Sequence, residues 1–116
     1  MLGGALGALA RYGTATFCAK AYGTSFPYGT LLVNLVGCFL IGIVFGIGEV
    51  RGINPEFRLF FITGFLGAFT TFSAFGLETV NNANEGFSNL ALISIAANNI
   101  GGLILVKVGL LLSRLI

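Results

Sequence analysis

Apolar residues run along this chain in four long stretches, and polar residues are confined to short segments between them. No charged residue occurs within 21–48, 59–77 or 86–106, and residues 1–19 contain one charge. A helix needs about 20 mostly apolar residues to cross a bilayer. The pattern therefore predicts an all-α integral membrane protein with a single domain over residues 1–116. Its four transmembrane helices are expected at about 2–20, 29–48, 58–80 and 89–115.

The amino-acid composition also indicates a membrane protein. Hydrophobic residues make up 56% of the 116 residues and charged residues 9%, whereas about a quarter of a typical soluble domain is charged. The net charge of +2 is carried by scattered Lys and Arg residues, so no nucleic-acid partner is expected. The chain has no histidine and two isolated cysteines, so no zinc or haem site is expected. Cys18 and Cys38 are interpreted as small packing residues.

Short polar segments at 22–27, 49–56 and 81–86 are predicted to be the connecting loops. Pro27 is placed to open the second helix. None of these segments is long enough to fold by itself. Any activity is therefore expected within the helices or at their ends.

Glycine recurs at helical spacing in the apolar stretches, as in the pairs Gly3 and Gly7, and Gly42 and Gly46. In lipid, small residues allow two helices to approach closely and gain dispersion contacts. Four such helices enclose little interior. A conduction path is therefore expected to need a second copy, or a second related chain, to complete its walls.

Two polar residues inside the first two spans call for an explanation, because polar groups in a membrane are costly. Arg11, near the middle of the first span, either attracts an anion or pins a helix end, or it snorkels or pairs with carbonyls at a helix interface. Asn34 follows Thr30 by one turn on the same helix face. Its amide offers two N–H donors to a small anion, and it is equally suited to bond two helices together.

The third span contains the most informative segment. Gly64, Gly67 and the pair Thr70 and Thr71 weaken the helix in its middle. A broken helix at membrane depth is tolerated where the freed backbone groups line a site. Carbonyl groups released there would suit a small cation.

Phenylalanines recur in the same segment at positions 65, 69, 72 and 75. One interpretation is a packing stripe. The other uses the positive edge of the aromatic ring, which can face an anion.

The fourth span carries Asn98 and Asn99, followed two turns later by Lys107. Adjacent residues face different sides of a helix, so at most one of the two Asn side chains is expected to line a given path. Lys107 is expected at a rim.

Three segments of the sequence form a recognisable set. They are the opening segment Gly3-Gly-Ala-Leu-Gly-Ala-Leu-Ala-Arg-Tyr12, the second-span segment Pro27-Tyr-Gly-Thr-Leu-Leu-Val-Asn34, and the third-span segment Gly64-Phe-Leu-Gly-Ala-Phe-Thr-Thr-Phe-Ser-Ala-Phe75 followed by Glu78. Each segment alone is a weak signal, but the three in this order and at these spacings are specific. Together they resemble the Fluc family of fluoride channels, also called CrcB proteins, over nearly the whole chain.

The resemblance implies an antiparallel dual-topology dimer in the cell membrane, with two narrow pores that export cytoplasmic fluoride passively. Asn34 would be the pore amide, and Phe72 and Phe75 an aromatic box whose ring edges meet fluoride. The backbone carbonyls of Gly67 and Thr70 would hold a structural sodium ion at the dimer centre.

Further positions complete the predicted anion pathway. The resemblance implies Ser73 and Glu78 along the polar route and Arg11 near the vestibule. Thr30 and Asn98 are added as polar groups of the second and fourth spans. A fluoride pore must replace the water shell of the ion with N–H, O–H and ring-edge donors, which these residues offer.

The fourth span departs from the family pattern. Many members carry a track of polar residues there at successive turns, and the corresponding positions here are Asn98, Gly102 and Val106. Only the first of these is polar. This favours, as an alternative to a homodimer, a pairing with a second related subunit.

Charge placement favours the same alternative. With four spans, Arg51, Arg58 and Arg114 share the side of both termini, and Lys20 lies on the other side. Lys and Arg are held on the cytoplasmic side. This asymmetry favours a single orientation with both termini inside the cell.

Three other functions fit the sequence less well. A small multidrug-type proton-coupled exporter needs an acidic residue in its first helix, where this chain has Arg11. A non-conducting assembly subunit of a heteromeric channel would also fit the glycine-rich helices. An enzyme is not expected, because the sequence offers no nucleophile–base pair and no paired carboxylates.

Overall fold

The computed structural model describes residues 1–23 and 26–115, and the regular structure in this part of the chain is helical. The predicted all-α fold is confirmed. Four long helices follow one another: α1 (Leu2–Tyr22), α2 (Tyr28–Arg51), α3 (Pro55–Asn84) and α4 (Ser88–Ser113).

Three of these helices, α2, α3 and α4, are long and apolar enough to cross a membrane. Helix α1 has 21 residues, a sufficient length, but it contains both Arg11 and Lys20. Helix α1 is not among the helices apolar enough to cross a membrane by composition alone. A membrane crossing by α1 therefore stays a prediction.

The connections are shorter than the sequence predicts. The expected loop over 49–56 is reduced to residues 52–54, because helices extend into it from both sides. Gly52 ends α2 at a φ of 77°, a conformation that glycine adopts without strain. The Asn54 side chain then caps α3 by accepting a hydrogen bond from the Glu56 N–H at 2.8 Å. Helix α3 likewise extends to residue 84, inside the expected 81–86 loop, and residues 24 and 25 of the first loop lie outside the described part.

Glycines bring α2 and α4 into close contact. A Cβ atom at Gly42 would overlap the carbonyl oxygen of Val106, and one at Gly46 would overlap the Ser113 hydroxyl. Residue numbers increase in the same direction along both helices, so α2 and α4 run parallel. The predicted role of the Gly42 and Gly46 pair in close packing is confirmed.

The other glycine pair joins α1 to α3. Gly3 and Gly7 are both buried, and a Cβ atom at either position would overlap the backbone carbonyl of Phe60 or Phe65, respectively. Helix α1 therefore runs parallel to the first half of α3. This packing holds the middle of α1 beside the middle of α3.

Helix α3 is broken where the sequence predicts a break. Thr70 and Thr71 are extended, with φ and ψ of −84° and 157° and of −149° and 121°. The first half, residues 55–69, contains a π-helical stretch at Leu59–Leu66, and the second half is Phe72–Asn84. At such a break, carbonyls of the first half and N–H groups of the second lose their helical partners.

Candidate functional site at the helix break

The Asn34 carboxamide lies against the break and bonds to both backbone polar groups of Thr71. Asn34 Oδ1 accepts from the Thr71 N–H at 2.9 Å, and Asn34 Nδ2 donates to the Thr71 carbonyl at 3.1 Å. In a continuous α-helix the Thr71 N–H would donate to the Gly67 carbonyl. A side chain of α2 therefore takes the place of a backbone bond that α3 gives up.

A second amide extends this contact to α4. Asn34 Nδ2 also donates to Asn98 Oδ1 at 2.9 Å. Asn98 Nδ2 donates to the Ser94 carbonyl at 2.9 Å and lies 3.3 Å from Ser94 Oγ, and Ser94 is fully buried. One row of hydrogen bonds, Thr71 to Asn34 to Asn98 to Ser94, thus joins α3, α2 and α4.

Thr30 makes the neighbouring contact between α2 and α3. Its hydroxyl donates to Glu78 Oε1 at 2.5 Å, and the Thr30 side chain is buried. Hydrogen bonds to a carboxylate are stronger than neutral ones. Thr30 and Asn34 therefore face α3 together, as their spacing predicts. A small cavity of about 100 Å³, also lined by α1, lies beside Thr30 and Glu78.

Arg11 reaches the break from α1. Its Nε–H donates to the Ala68 carbonyl at 3.0 Å, and that carbonyl belongs to the last turn of the first half of α3. A positive charge at the C-terminal end of a helix is favourable. Arg11 therefore pairs with a backbone carbonyl and also pins a helix end, so its part in attracting an anion stays a prediction.

Thr71 also starts the second half of α3. Its side-chain oxygen accepts from the Ala74 N–H at 3.1 Å, as an N-cap residue does. Thr71 Oγ1 lies 3.4 Å from Ser73 Oγ. The Ser73 hydroxyl is therefore held at a helix N-terminus, which carries a positive partial charge.

The phenylalanine stripe is divided by the break. Phe65 and Phe69 stack at 5.7 Å between ring centroids, with an interplanar angle of 15°, and continue a ladder of rings through residues 57 and 61. Phe72 and Phe75 form a separate tilted pair at 5.6 Å and 56°. Phe75 is 9% exposed, whereas Phe72 is 80% exposed. Of the second pair, Phe72 borders both sides of the break, and Phe75 borders the side toward α2 and α4.

An open groove of about 380 Å³ lies between α2, α3 and α4. Asn34, Phe72 and Phe75 border it, together with both Asn98 and Asn99. The exposed Asn99 side chain donates to the carbonyl one turn before it in its own helix, at 2.8 Å. That at most one of the two Asn side chains lines an ion path stays a prediction.

A second open groove, of about 550 Å³, lies on the α1 side of the break. Arg11, Thr71, Phe72 and Ser73 border it. Phe72 and Thr71 are thus shared by both grooves. Most of the predicted pathway residues thus border one of these two grooves, whereas Thr30 and Glu78 line the separate small cavity.

The remaining fourth-span positions lie away from the break. Gly102 is buried, and a Cβ atom there would lie 3.1 Å from Cys38 Sγ. Gly102 therefore supports the packing of α4 on α2. Lys107 is exposed, and its place at a rim stays a prediction.

Sequence reasoning missed two partners at the site. Ser94 receives the Asn98 amide, and its position one turn before Asn98 is the signal that could have found it. Ala68 contributes only its carbonyl oxygen. No residue type marks a backbone acceptor, so the sequence carries no signal for that contact.

Comparison with known proteins bears on this arrangement. The family described as "CrcB-like protein, Camphor Resistance (CrcB)" matches residues 1–110. The chain belongs to the CrcB family. A member named fluoride-specific ion channel FluC from Legionella pneumophila (strain Lens) is 44% identical over 115 residues, which are 97% of this chain and 85% of the relative.

Two further relatives are identical to this chain to a similar extent. The fluoride-specific ion channel FluC of Parabacteroides distasonis is 40% identical over 98% of this chain and 89% of the relative. That of Maridesulfovibrio salexigens is 43% identical over 98% and 91%. With CrcB membership and three apolar helices of spanning length, the chain is a multi-pass protein of the plasma membrane. It is a channel-family protein and not an enzyme.

Proposed function

We propose that this chain forms a fluoride-selective channel that exports cytoplasmic fluoride passively. The observation that carries the proposal is the break in α3, where Ser73 and the Phe72 and Phe75 rings border open grooves. The FluC relatives are named for fluoride. Fluoride that enters a cell as hydrogen fluoride becomes trapped as the ion, and an open anion path is sufficient to release it.

The chemistry of the break suits a small, strongly hydrated anion. A pore must offer donors that replace the water shell, and the break offers the Ser73 hydroxyl and the positive edges of Phe72 and Phe75. Asn34, Thr30, Asn98 and Glu78 are proposed to lie along the same route, with Arg11 at a vestibule. Arg11 is the cationic side chain at the break among the described residues, so the anion is not held by a cluster of charges.

The pore is proposed to form between two chains of opposite orientation. Phe72 is 80% exposed in the single chain, and both grooves at the break are open. A second chain would cover Phe72 and close the grooves. The simplest dimer pairs two copies of this chain; the alternative is a related subunit that supplies the polar groups that Gly102 and Val106 lack.

A structural sodium ion at the dimer centre would be held by the carbonyls of Gly67 and Thr70. These oxygens fit a hard cation, because Thr70 is extended and the Thr71 N–H that would engage Gly67 is bonded to Asn34 instead. The ion would supply positive charge that holds two broken helices together. Replacing all sodium with a bulky organic cation is expected to stop fluoride flux, and unchanged flux would contradict this part of the proposal.

The decisive experiment measures fluoride efflux from liposomes that contain the purified chain alone. Rapid efflux with fluoride strongly preferred over chloride would support the channel and the homodimer together. A folded protein that is silent alone but conducts with a co-expressed relative would support the two-subunit channel. Silence in both preparations would overturn fluoride conduction.

A further inference from the structure

Asn99 is an exposed amide at the middle of α4. It is the twelfth of the 26 residues of Ser88–Ser113, so it lies about 2 Å from the midpoint of that helix along its axis. Its Nδ2 donates to the Ile95 carbonyl of its own helix at 2.8 Å. A primary amide has two N–H donors and an acceptor oxygen, and Asn99 forms no other hydrogen bond within residues 1–23 and 26–115. One donor and the oxygen are therefore left without a partner in the single chain.

The outer face of α4 around this amide is apolar. Three exposed side chains share the side of Asn99 at spacings of three and four residues, and they are Leu92, Ile95 and Leu103. The other exposed side chains of α4 between positions 92 and 104 are apolar as well. Such a stripe packs against lipid as readily as against another helix. An amide that faces hydrocarbon at this depth is costly, so Asn99 calls for a partner.

A second copy of the chain would bring polar groups to the depth of Asn99. The neighbouring Asn98 is joined to the break in α3 through the Asn34 amide, so the break lies at the same depth as the middle of α4. In an antiparallel pair, the middle of one chain lies against the middle of the other. Asn99 also borders the same open groove as Gly67 and Thr70, the residues proposed at the dimer centre. This side of α4 therefore continues the face on which a second chain is proposed to lie.

We propose that Asn99 is an interchain contact residue. Its remaining N–H and its oxygen bond to polar groups at the middle of a second copy of this chain, and the contact fixes the register of the two chains. A single amide within an apolar stripe aligns partner helices in the same way in coiled coils. The inference rests on the proposed two-chain channel, and it leaves Asn98 as the polar group of the fourth span on the anion route.

The test measures self-association in liposomes as the chain is diluted with lipid, by counting the photobleaching steps of chains labelled after residue 116. Asn99→Leu keeps the approximate size of the side chain and removes the amide. The dissociation constant of the dimer is expected to rise about three- to thirtyfold, the range for one hydrogen bond between helices in lipid. Asn99→Gln keeps both donors and the acceptor and should restore most of the association. Ile100→Leu, at the next exposed position, is the control and should associate like the parent.

The direction of the change separates an interchain amide from one that faces lipid. If Asn99 faced hydrocarbon, Asn99→Leu would leave association unchanged or strengthen it, and either result would overturn the inference. A parent chain that stays monomeric, or that pairs only with a related subunit, would also overturn it, because the proposed partner is a second copy. If Asn99→Leu does not fold, Asn99→Ala takes its place and is expected to weaken association as well.

Fluoride efflux from the same liposomes keeps the inference apart from the proposed function. Association that depends on Asn99, in liposomes that release no fluoride, would refute the proposed function alone. Parental association of Asn99→Leu, together with rapid fluoride efflux, would refute the inference alone.

Discussion

Phe72 and Phe75 are neighbours in space with opposite surroundings. Phe75 is almost fully buried within the single chain, and Phe72 is largely exposed. Burying a phenylalanine contributes about 1.5–3 kcal/mol. Phe75 therefore contributes to the stability of the subunit, whereas Phe72 becomes buried only when another surface covers it.

Replacing either ring with isoleucine separates ring chemistry from bulk. Phe72→Ile and Phe75→Ile are each expected to lower fluoride efflux about tenfold or more, because isoleucine lacks the positive ring edge. The thermal unfolding midpoint should fall for Phe75→Ile, because Phe75 is buried within the subunit. Phe17→Ile, at an exposed position of α1, is the control and should match the parent. Parental efflux in both test variants would mean that the two rings only pack.

The bond between Thr30 and Glu78 makes a separate prediction. Thr30→Val keeps the shape of the side chain and removes the donor to the carboxylate, so the free energy of unfolding should fall by about 1–3 kcal/mol. Thr79→Val is the matched control, because the Thr79 hydroxyl donates to the Phe75 carbonyl of its own helix. Denaturant titration in detergent compares the two. An equal fall in the free energy of unfolding of both variants would mean that the bond between α2 and α3 stabilises the protein no more than a bond within one helix.

The site residues could be predicted from sequence only where a side chain carries the chemistry. Asn34, Thr30 and Arg11 were identifiable because polar groups within apolar stretches are costly. Their backbone partners were not, because Arg11 bonds to the Ala68 carbonyl and Asn34 to the Thr71 backbone. A helix break frees such backbone groups, and the sequence does not say which carbonyl is freed.

At the scale of helices, close packing depends on glycine in α2 and α4. Gly42 and Gly109 both face the partner helix, where a Cβ atom would overlap backbone atoms. Backbone atoms cannot move aside as a side chain does. Even a single added methyl group must therefore push the two helices apart.

Gly42→Ala and Gly109→Ala are each expected to destabilise the protein by about 1–3 kcal/mol, the usual cost of overpacking. Gly76→Ala offers a control within a helix, because a Cβ atom there meets nothing within 4 Å. That change should be neutral or stabilising by up to about 1 kcal/mol. Thermal unfolding of the three variants in the same detergent checks this order of stability. A Gly42→Ala protein as stable as the Gly76→Ala protein would contradict the prediction.

The helix positions could be predicted from the lengths of the apolar stretches. The break in α3 could be predicted from Gly67, Thr70 and Thr71. The helix ends did not, because polar residues 49–51 and 81–84 continue the helices into the expected loops. Each of these two connections contains one glycine with a positive φ, Gly52 between α2 and α3 and Gly86 between α3 and α4. Charge and polarity therefore indicate where a chain leaves lipid, and not where its helix stops.

At the scale of the whole molecule, two helix pairs run parallel. Helix α1 is parallel to the first half of α3, and α2 is parallel to α4, and these pairings decide which helix ends lie on the same side. The N-terminus, the connection between α2 and α3, and the end of α4 share one side. Arg51, Arg58 and Arg114 lie there, with Lys107 less than two turns before the end of α4. Lys20 lies at the opposite end of α1.

If the channel pairs this chain with a related subunit, this asymmetry predicts one dominant orientation, with the C-terminal end in the cytoplasm. Reporters active only inside or only outside the cell, fused after residue 116, should show a strong excess of the inside signal. Replacing Arg51, Arg58 and Arg114 with glutamine, with two lysines added within 81–86, should reverse that excess. Equal inside and outside signals from the parent would instead support a dual-topology homodimer.

The bond between Arg11 and the Ala68 carbonyl has a consequence for biosynthesis. Residues 11 and 68 are separated by 57 positions, so when α1 leaves the ribosome its charge has no acceptor from α3. Helix α1 is also the least suited of the four to enter lipid alone. We expect it to wait at the membrane surface, or in the insertion machinery, until the third helix has been synthesised. The two would then enter the bilayer as a pair, and a chain truncated before residue 68 would leave α1 uninserted.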